Sequence, residues 1–453
     1  MRISSTGRSL GLKLFLLGAI VLALGIPLFF IGLLSWERSE RADAAALEVG
    51  QAMGGPQTVR GPFLAIPYSV DEEVWDTARD GRRTRRVEHR TRHVFVSPQA
   101  LDIAVTQDVG VRHRGIYDIP VYSADIAAQG VFEIPGSVAG LPEGVEPDWE
   151  GVRVVLALSD LRAIARPVTM TVEGRGPVAF EPGAPASVSG WRAISGPAGR
   201  VTPGEQIAFS LEASVTGAQW MRFAASGRDT RLTLRSNWPH PGFDGGFLPD
   251  THTISATGFE AEWDIPYLAR GVQGEWISTE AAAAVLDQQA FGVSLVAPAD
   301  GYQQVGRALK YGLFFVGLLV LTIFLIEART GRRIHPAQYI LMGMAQVIFY
   351  LLLLALSEHA GSLPAYLVAA LATVGLSGAY AASAFADRRT GLAVGLAMAV
   401  VYATQFALLM VEDYALLIGA VMAFLALAGA MVFTRGIDWY GSNDADAGSA
   451  GIV

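Results

Sequence analysis

The feature that most constrains this chain is a set of six long apolar stretches. The hydrocarbon core of a bilayer is about 30 Å thick, and an α-helix needs about 20 consecutive apolar residues to cross it. With 51% hydrophobic and 17% charged residues among 453, the chain is also more apolar than an ordinary soluble protein. We therefore predict a membrane protein with transmembrane helices at residues 12–34, 309–326, 340–356, 365–386, 392–410 and 414–433.

The first stretch has features of both a signal peptide and a membrane anchor. Arg2, Arg8 and Lys13 stand at its start, and the alanines at 44–46 resemble a cleavage site. The apolar run is too long for a signal peptide, and the alanines lie beyond the charged segment WERSER. We interpret the stretch as an uncleaved N-terminal anchor.

Basic residues in the short loops predict the orientation of the spans. With the N-terminus inside, the basic residues on the cytoplasmic side are Arg2, Arg8, Lys13, Arg329, Arg332, Arg333, Arg388, Arg389 and Arg435. The outer loops SEHAGSLP and VEDY contain none, although Arg307 and Lys310 precede the second span on the outer side. In a bacterial inner membrane this multi-pass topology places both termini in the cytoplasm and residues 36–306 in the periplasm.

The spans divide the chain into four parts. Residues 1–35 form a cytoplasmic N-terminus and anchor, and residues 36–306 form a large periplasmic domain. Residues 307–435 form a C-terminal α-helical bundle of five transmembrane helices. Residues 436–453 form a cytoplasmic tail, whose small and polar residues are typical of disorder.

The middle region has the alternation of apolar and polar residues that is typical of β-strands. It is clear in VFVSPQALDIAVTQDV, VRVVLALSDL, EQIAFSLEASV, TRLTLRS and HTISATGFEAEWDI, with Gly, Pro, Asp and Asn between the segments. Helical periodicity appears mainly in ERADAAALEVGQAM and ISTEAAAAVLDQQA. We predict a mainly-β domain of antiparallel sheets packed as a sandwich; its strand order and its division into one domain or two stay open.

Aromatic residues are concentrated in the second half of this region. Trp238, Phe243, Phe247, Phe259 and Trp263 lie within 26 positions of each other. Such residues usually belong to a core, since their large rings gain most from burial. The alternative is a hydrophobic binding cleft lined by Trp238, Phe243 and Trp263.

The sequence excludes several kinds of chemistry. A net charge of −8 argues against nucleic acid as a partner, and the absence of cysteine excludes disulfides and thiolate sites. No G-x-S-x-G, phosphate-binding loop or G-x-G-x-x-G motif appears. His240 and His252, with Asp244 and Asp250, are better explained by turns than by a metal. We assign no catalytic, cofactor-binding or metal-ligating residue and expect no enzyme.

The third span ends abruptly, in FYLLLLALSEH, on Ser357, Glu358 and His359. The simplest interpretation is an interfacial end with solvated side chains. A functional pair of Glu358 and His359 is an alternative. We also consider an ion pair of Glu358 with Arg307 or Lys310, which enter the membrane at the same depth and would fix the outer domain to the bundle.

Polar residues inside the spans are few. Gln346 and Gln405 are expected to hydrogen-bond between helices, while GLAVG at 391–395 offers a small surface for close helix approach. Acids and histidines, which coupled transporters usually place in mid-membrane, are missing there. The small surfaces also allow a homo-oligomer.

Several long segments resemble the CreD family of bacterial inner-membrane proteins. They are RGPFLAIPY, HRGIYDIPVYSADIAAQGVF, NWPHPGFDGGFLPD, GFEAEWDI, FGVSLVAPADGYQQVGRALKYGLFFVGL, RIHPAQYILMG, FYLLLLALSEH and TRGIDWY. The resemblance runs from the first span nearly to the C-terminus. It implies an anchor, a periplasmic domain and a helical bundle, a role in cell envelope integrity, and no established reaction.

From the residues and the resemblance together we expect a non-enzymatic protein that supports envelope integrity and the response to envelope stress. One alternative is a periplasmic ligand-binding or sensing module; another is a transporter of an envelope-related substrate. The expected partners are the lipid bilayer and, beyond it, other envelope proteins or fragments of peptidoglycan or lipid.

Overall fold

The computed structural model describes residues 10–77, 83–138, 141–142, 144–183, 191–277, 280–296, 301–330, 334–410 and 415–435. The chain divides into two compact units. The helical unit combines Met1–Asp43 with Ala299–Val453, and the β unit comprises Ala44–Pro298. The predicted fold class, an apolar N-terminal helix, a mainly-β middle and several apolar C-terminal helices, is confirmed. The predicted tail at 436–453 lies outside the described residues.

Each of the six predicted spans overlaps a helix. The helices are α1 (Leu10–Ala52), α2 (Glu280–Gln288), α3 (Gly301–Lys310), α4 (Gly312–Thr330), α5 (Pro336–Ala360), α6 (Ser362–Ala384), α7 (Arg388–Met410) and α8 (Ala415–Thr434). Within the described residues, α1, α5, α6 and α7 are each long and apolar enough to cross a membrane, and α3 with α4, bent by 50°, could form a fifth span. Helix α8 is a shorter apolar helix.

Helix α3 was not predicted from the sequence. It carries Arg307 and Lys310 in its last turn and buries Val305 and Ala308. Only one face of α3 is apolar, so its segment GYQQVGRALK contains no continuous apolar run. A search for such runs therefore does not detect this helix. The second predicted span therefore begins with a short amphipathic helix and continues, after a bend, as α4.

The N-terminal anchor α1 packs into the helical unit instead of standing apart from it. One stripe of α1 is buried against α4 and α5, while Phe15, Leu22 and Phe29 on the other faces are exposed. Because these exposed apolar side chains lie within the predicted first span, they are suited to contact with lipid. The buried stripe consists of Leu17, Ile20, Leu24, Leu28 and Ile31.

The β unit is a sandwich of two sheets. Its strands are β1 (Gln57–Thr77), β2 (Arg83–Val96), β3 (Ala100–Arg114), β4 (Tyr117–Glu133), β5 (Arg153–Leu158), β6 (Thr169–Val172), β7 (Gly176–Pro177), β8 (Glu181–Pro182), β9 (Arg192–Pro197), β10 (Gln206–Ala218), β11 (Trp220–Phe223), β12 (Asp229–Ser236), β13 (Pro241–Gly245), β14 (Thr251–Ser255), β15 (Gly258–Ile265), β16 (Glu275–Ile277) and β17 (Phe291–Leu295). The alternating segments of the sequence all fall on these strands.

The nine-stranded sheet has the order β13-β17-β11-β1-β5-β9-β8, with β2 paired to β1 and β16 paired to β2. The eight-stranded sheet has the order β14-β15-β12-β3-β4-β10-β6-β7. Gln219, with φ of 69°, lies between β10 and β11 and lets the chain pass from one sheet to the other. Leu64 and Leu156 of one sheet share a core with Ile103, Ile126 and Leu211 of the other.

Two pairs of strands depart from the predicted antiparallel sheets. Strand β1 pairs with β11 in parallel, and β12 pairs with β3 in parallel. Parallel neighbours require a long crossover between them. Here more than 100 residues separate the two strands of each parallel pair. The alternation of apolar and polar residues within a strand does not indicate the direction of its partner.

Candidate functional site

Glu358, the carboxylate that ends FYLLLLALSEH, lies in a small cluster of charged and polar side chains. Its Oε1 accepts a hydrogen bond of 3.0 Å from the Tyr302 hydroxyl of α3. The same oxygen lies 3.8 Å from Nη1 of Arg38, on α1. The Glu358 side chain is only 11% exposed, compared with 38% for Arg38. We call Arg38, Tyr302 and Glu358 the Glu358 cluster; it connects α1, α3 and α5.

The other residues proposed for this site are arranged differently. Lys310 is exposed and Arg307 is half-buried on α3, and His359 is exposed, with its ring nitrogen 3.2 Å from the Ala355 carbonyl oxygen. The pairing of Glu358 with Arg307 or Lys310 stays a prediction, because the partners that the structure gives to Glu358 are Tyr302 and Arg38. Sequence reasoning missed both: Arg38 lies far away in sequence, and Tyr302 lies on the unpredicted α3.

A second cluster lies at the opposite end of the helical unit. The Glu327 side chain, near the end of α4, is 9% exposed and forms a salt bridge with Lys13 of α1. Its Oε2 accepts a hydrogen bond of 2.6 Å from the Tyr339 hydroxyl, on α5. We call Lys13, Glu327 and Tyr339 the Glu327 cluster. One sequence signal could have indicated this cluster: Glu327 directly follows the apolar stretch 309–326, at the same predicted side of the membrane as Lys13.

The two clusters hold α1 at two points. Lys13 and Arg38 are 25 positions apart, which corresponds to about 37 Å along an α-helix. That length exceeds the roughly 30 Å of the hydrocarbon core, so both charged ends would reach the polar headgroups. Each cluster has the same composition: a cation from α1, a carboxylate and a tyrosine from the other helices. The anchor is thus fixed in register and direction relative to α4 and α5.

Glycines allow α1 to approach the other helices closely between the clusters. A Cβ atom built on Gly343 of α5 would lie 2.3 Å from the Leu24 side chain, and one on Gly312 of α4 would lie 3.4 Å from Leu28. Between helices that are apolar on every side, such contacts decide the packing, because lipid offers an equally apolar surface. The Leu24 side chain therefore occupies the space that a side chain at Gly343 would need.

The expected hydrogen bond between helices is confirmed for Gln405, whose Nε2 donates to the Tyr350 hydroxyl over 3.0 Å. The small surface at 391–395 is also used as predicted. Gly391 and Gly395 of α7 lie against Gly378 of α6, and an added Cβ on Gly391 would lie 2.7 Å from the Gly378 carbonyl oxygen. Since this surface is occupied within the protein, it gives no support to a homo-oligomer, which stays a prediction.

The proposed cleft of Trp238, Phe243 and Trp263 stays a prediction, although the structure places all three rings against the sandwich core. Trp263 is 1% exposed and belongs to the sandwich core. Phe243 packs on it, with ring centroids 6.0 Å apart, and Trp238 is partly buried against the same core. The core alternative therefore describes Trp263. The aromatic count alone could not separate the two, because both arrangements need large rings on alternate strand positions.

A polar groove lies elsewhere on the β unit, at the end of the eight-stranded sheet. It has a volume of about 550 Å³. Thr106 and Asp108 of β3, Arg235 of β12 and Glu260 of β15 line it. Arg235 donates to Glu260 Oε1 over 2.6 Å, so the two charges balance. Most of its lining residues are polar and offer hydrogen-bonding groups, although apolar atoms also contribute to its surface.

The histidines considered for metal binding are not brought together. His240 lies beside Trp238, and His252 lies beside the Phe243 ring. The carboxylates near them are engaged elsewhere: Asp244 pairs with Arg222, and Asp250 accepts from the Asp264 backbone. In the part of the chain that the structure describes, no group of three or more His, Asp and Glu side chains is arranged for a metal ion.

Asp160 is a carboxylate of the β unit whose ionisation depends on its neighbours. Arg162 Nη2 donates to Oδ2 over 2.7 Å, and Arg192 Nη1 lies 3.1 Å from the same oxygen. The side-chain bond from Arg162 lowers the pKa of Asp160 to about 2, although partial burial opposes the shift. Asp160 also caps the short 3-10 helix Leu161–Ala163 through the Arg162 backbone N–H.

Arg270 is a fully buried guanidinium in the β unit. It donates to the Gly227 carbonyl oxygen over 3.1 Å and to Ser97 Oγ over 2.9 Å. Burial lowers the pKa of Arg270 to about 10, so the group stays charged at neutral pH. Its bonds tie together the β2–β3 and β11–β12 loops, which both lead from the nine-stranded sheet to the eight-stranded sheet, and this is a structural role.

Comparison with known proteins gives one family. The sequence profile of the family described as "Inner membrane protein CreD" matches residues 9–440. A protein of Escherichia coli (strain K12) described by the same words is 31% identical over 434 residues, which cover 94% of this chain and 92% of that protein.

Solved structures give only distant likenesses. Two structures of an M1 zinc metallopeptidase from Deinococcus radiodurans, one of them a variant, are 12% and 13% identical and have TM-scores of 0.20 and 0.21. The matched parts cover 37% and 38% of this chain, and 38% and 39% of those chains. Likenesses at this TM-score carry no conclusion about fold or activity.

Proposed function

The chain belongs to the CreD family of inner membrane proteins, and from this premise we propose that it is a non-enzymatic protein that supports cell envelope integrity and the response to envelope stress. Its β unit acts outside the inner membrane, in the periplasm. The helical unit holds the β unit in the membrane and does not carry out a reaction.

The observation that carries this proposal is the double fixation of α1. A simple anchor needs only an apolar helix, whose orientation in lipid is free to vary. Here Lys13 and Arg38 are paired at the two ends of the apolar part of α1, with Glu327 and Glu358. The β unit is joined by the chain to α1 on one side and to α3 on the other. Such a helical unit suits a protein that transmits or resists force at the membrane.

The periplasmic location of the β unit rests on charge and on the direction of the helices. The loops at the Glu358 end lack basic residues, while arginines are common at the Glu327 end. Lys13 lies in the Glu327 cluster and Arg38 lies in the Glu358 cluster, so α1 leaves the membrane at the end that is poor in basic loops. That end faces the periplasm under the positive-inside rule.

The location can be tested by labelling single cysteines, because the natural chain has none. Leu268→Cys lies in the β unit, where the native leucine is 91% exposed. Arg389→Cys lies in the first turn of α7, at the opposite predicted side. A maleimide that cannot cross the inner membrane should label Leu268→Cys in intact spheroplasts and Arg389→Cys only after lysis. The reverse pattern would refute the periplasmic location.

The envelope role can be tested by deletion and complementation. Cells that lack the protein should lose survival under detergent and β-lactam challenge, and the full chain should restore it. Glu37→Gln serves as a control, because it alters only an exposed ion pair within α1. This variant should restore survival as fully as the unaltered chain. Unchanged survival of the deletion strain under both challenges would count against the proposal.

A second candidate function is ligand binding by the β unit, and the polar groove favours it. Thr106, Asp108, Arg235 and Glu260 give the groove both donors and acceptors, as the recognition of a sugar or peptide fragment of the cell wall would require. Binding of such a fragment should raise the unfolding temperature of the protein. Arg235→Ala should abolish that increase in unfolding temperature. If soluble peptidoglycan fragments cause no increase in the unaltered protein, ligand binding by the groove is refuted and only the scaffold role remains.

A further inference from the structure

The centre of the helical unit contains a layer of polar side chains. Tyr350 of α5 accepts a hydrogen bond from Gln405 of α7. Gln346 lies one turn before Tyr350, on the same face of α5, and close to its hydroxyl. Tyr402 of α7 and Ser377 of α6 are also buried. We call Gln346, Tyr350, Ser377, Tyr402 and Gln405 the polar layer.

Most of the polar atoms in this layer are not satisfied by the protein. In the described part of the chain, both polar atoms of the Gln346 carboxamide lack a hydrogen bond of normal geometry. The same holds for Gln405 Oε1, Ser377 Oγ and the Tyr402 hydroxyl, although the Thr373 side chain lies beside that hydroxyl. Buried polar atoms are almost always paired with protein or with ordered water, and lipid offers them no partner. A group of such atoms in one layer therefore points to a bound polar species.

A small cavity lies near one end of the helical unit. It has a volume of about 10 Å³ and lies between α3, α5, α6 and α7, where Gln304, Ser357 and Ser362 line it. That volume is about what one water needs. Tyr366 also lines the cavity, and its hydroxyl donates to the Tyr402 carbonyl oxygen over 2.7 Å. Tyr366 thus contacts both the cavity and the backbone of Tyr402.

We propose that water occupies the polar layer, where it bridges the Gln346 and Gln405 carboxamides and the Tyr402 hydroxyl. The side chains of the layer are neutral and include both donors and acceptors, which suits water and not an ion. This inference does not depend on the envelope function.

Radiolytic footprinting tests this directly, because X-rays convert bound water into hydroxyl radicals that modify the nearest side chains. Phe349 is 0% exposed, and its ring centroid lies 4.5 Å from that of Tyr402. Phe315 of α4 is also 0% exposed but belongs to a different, apolar cluster. In the full chain in nanodiscs, we expect Phe349 to be modified several-fold faster than Phe315.

Two results would overturn the proposal. One is modification of Phe349 as slow as that of Phe315, which would mean that the layer is dry. The other is equally fast modification of both, which would mean general entry of solvent. Gln346→Leu should reduce the modification rate of Phe349 and leave that of Phe315 unchanged. If this variant does not fold, the rates of Phe349 and Phe315 in the unaltered protein still decide whether the polar layer holds water.

Discussion

Arg38 and Glu358 are 320 positions apart in the chain, yet Nη1 of the arginine lies 3.8 Å from Oε1 of the glutamate. Their pairing fixes one end of the apolar part of α1, as the pairing of Lys13 with Glu327 fixes the other. Between them, Leu24 occupies the space that Gly343 leaves open. The N-terminal helix is thus part of the bundle, and the following predictions test this arrangement.

Neutralising Glu358 should loosen the end of α1. In Glu358→Gln the side chain keeps its size but loses its charge, so the Arg38 interaction is lost and the bond from Tyr302 is weakened. Because Arg38 is 38% exposed, solvent already screens the pair, and we expect a loss of about 1 kcal/mol in the free energy of unfolding. Thermal unfolding in mild detergent measures it, with Glu37→Gln as the control.

Removing Lys13 should cost more than removing Arg38. Lys13→Met leaves the Glu327 carboxylate, whose side chain is 9% exposed, without its cation. Loss of one partner of a buried pair typically costs about 3–5 kcal/mol. Arg38→Met removes the cation from the more exposed cluster. Equal losses in the free energy of unfolding for the two variants would show that the smaller exposure of Lys13, 28% compared with 38% for Arg38, has no energetic consequence.

Enlarging Gly343 should separate α1 from α5. In Gly343→Leu the new side chain enters the space of Leu24, and overpacking of this kind typically costs about 1–3 kcal/mol. Gly375→Leu is the matched control, because a Cβ at Gly375 of α6 has no neighbour within 4 Å. We expect a lower unfolding temperature for the first variant only. Equal behaviour of the two would show that α1 is not packed at Gly343.

Stability should fall in acid through Asp160. The folded-state pKa of Asp160 is lowered to about 2, mainly by the bond from Arg162, while the unfolded value is about 4. The charged form is thus favoured by folding, so this contribution is present above pH about 4 and is lost as the pH falls towards 2. With screening by solvent, it amounts to about 1 kcal/mol.

Asp160→Asn should therefore reduce stability at pH 6 and show a smaller further loss on acidification to pH 3 than the unaltered protein. Glu150→Gln, from an exposed pair with Arg200, serves as the control. Denaturant unfolding at both pH values, followed by tryptophan fluorescence, gives the comparison. An identical pH dependence in Asp160→Asn and the unaltered protein would exclude this role.

The sequence was sufficient for the strands, because each strand has one face in the core and one in solvent. In β10, for instance, Ile207, Phe209 and Leu211 alternate with more exposed neighbours. Partners in the sheets were not predictable, since β1 and β11 pair across more than 150 positions of chain. Pairing depends on long-range contacts that leave no local pattern.

The apolar spans were equally clear, but the packing of α1 was not. Leu24 is buried and Leu22 is 70% exposed, yet both are leucines, because a face that meets lipid and a face that meets protein are both apolar. The carboxylate Glu358 was recognised from its position after an apolar run. Its partners Tyr302 and Arg38 were not recognised. Tyr302 lies on the unpredicted α3, and Arg38 is far from Glu358 in sequence, so no local pattern links the two.

The most direct test of the account exchanges the charges of one pair in living cells. Arg38→Glu and Glu358→Arg, each alone, place like charges at one end of α1, whereas the double variant restores an opposite pair. Deletion cells that express each form at equal levels would be challenged with detergent, and their survival compared with that of cells with the unaltered chain. We predict reduced survival for each single variant and recovery in the double variant. Full survival with both single variants would contradict the claim that fixation of α1 supports the envelope.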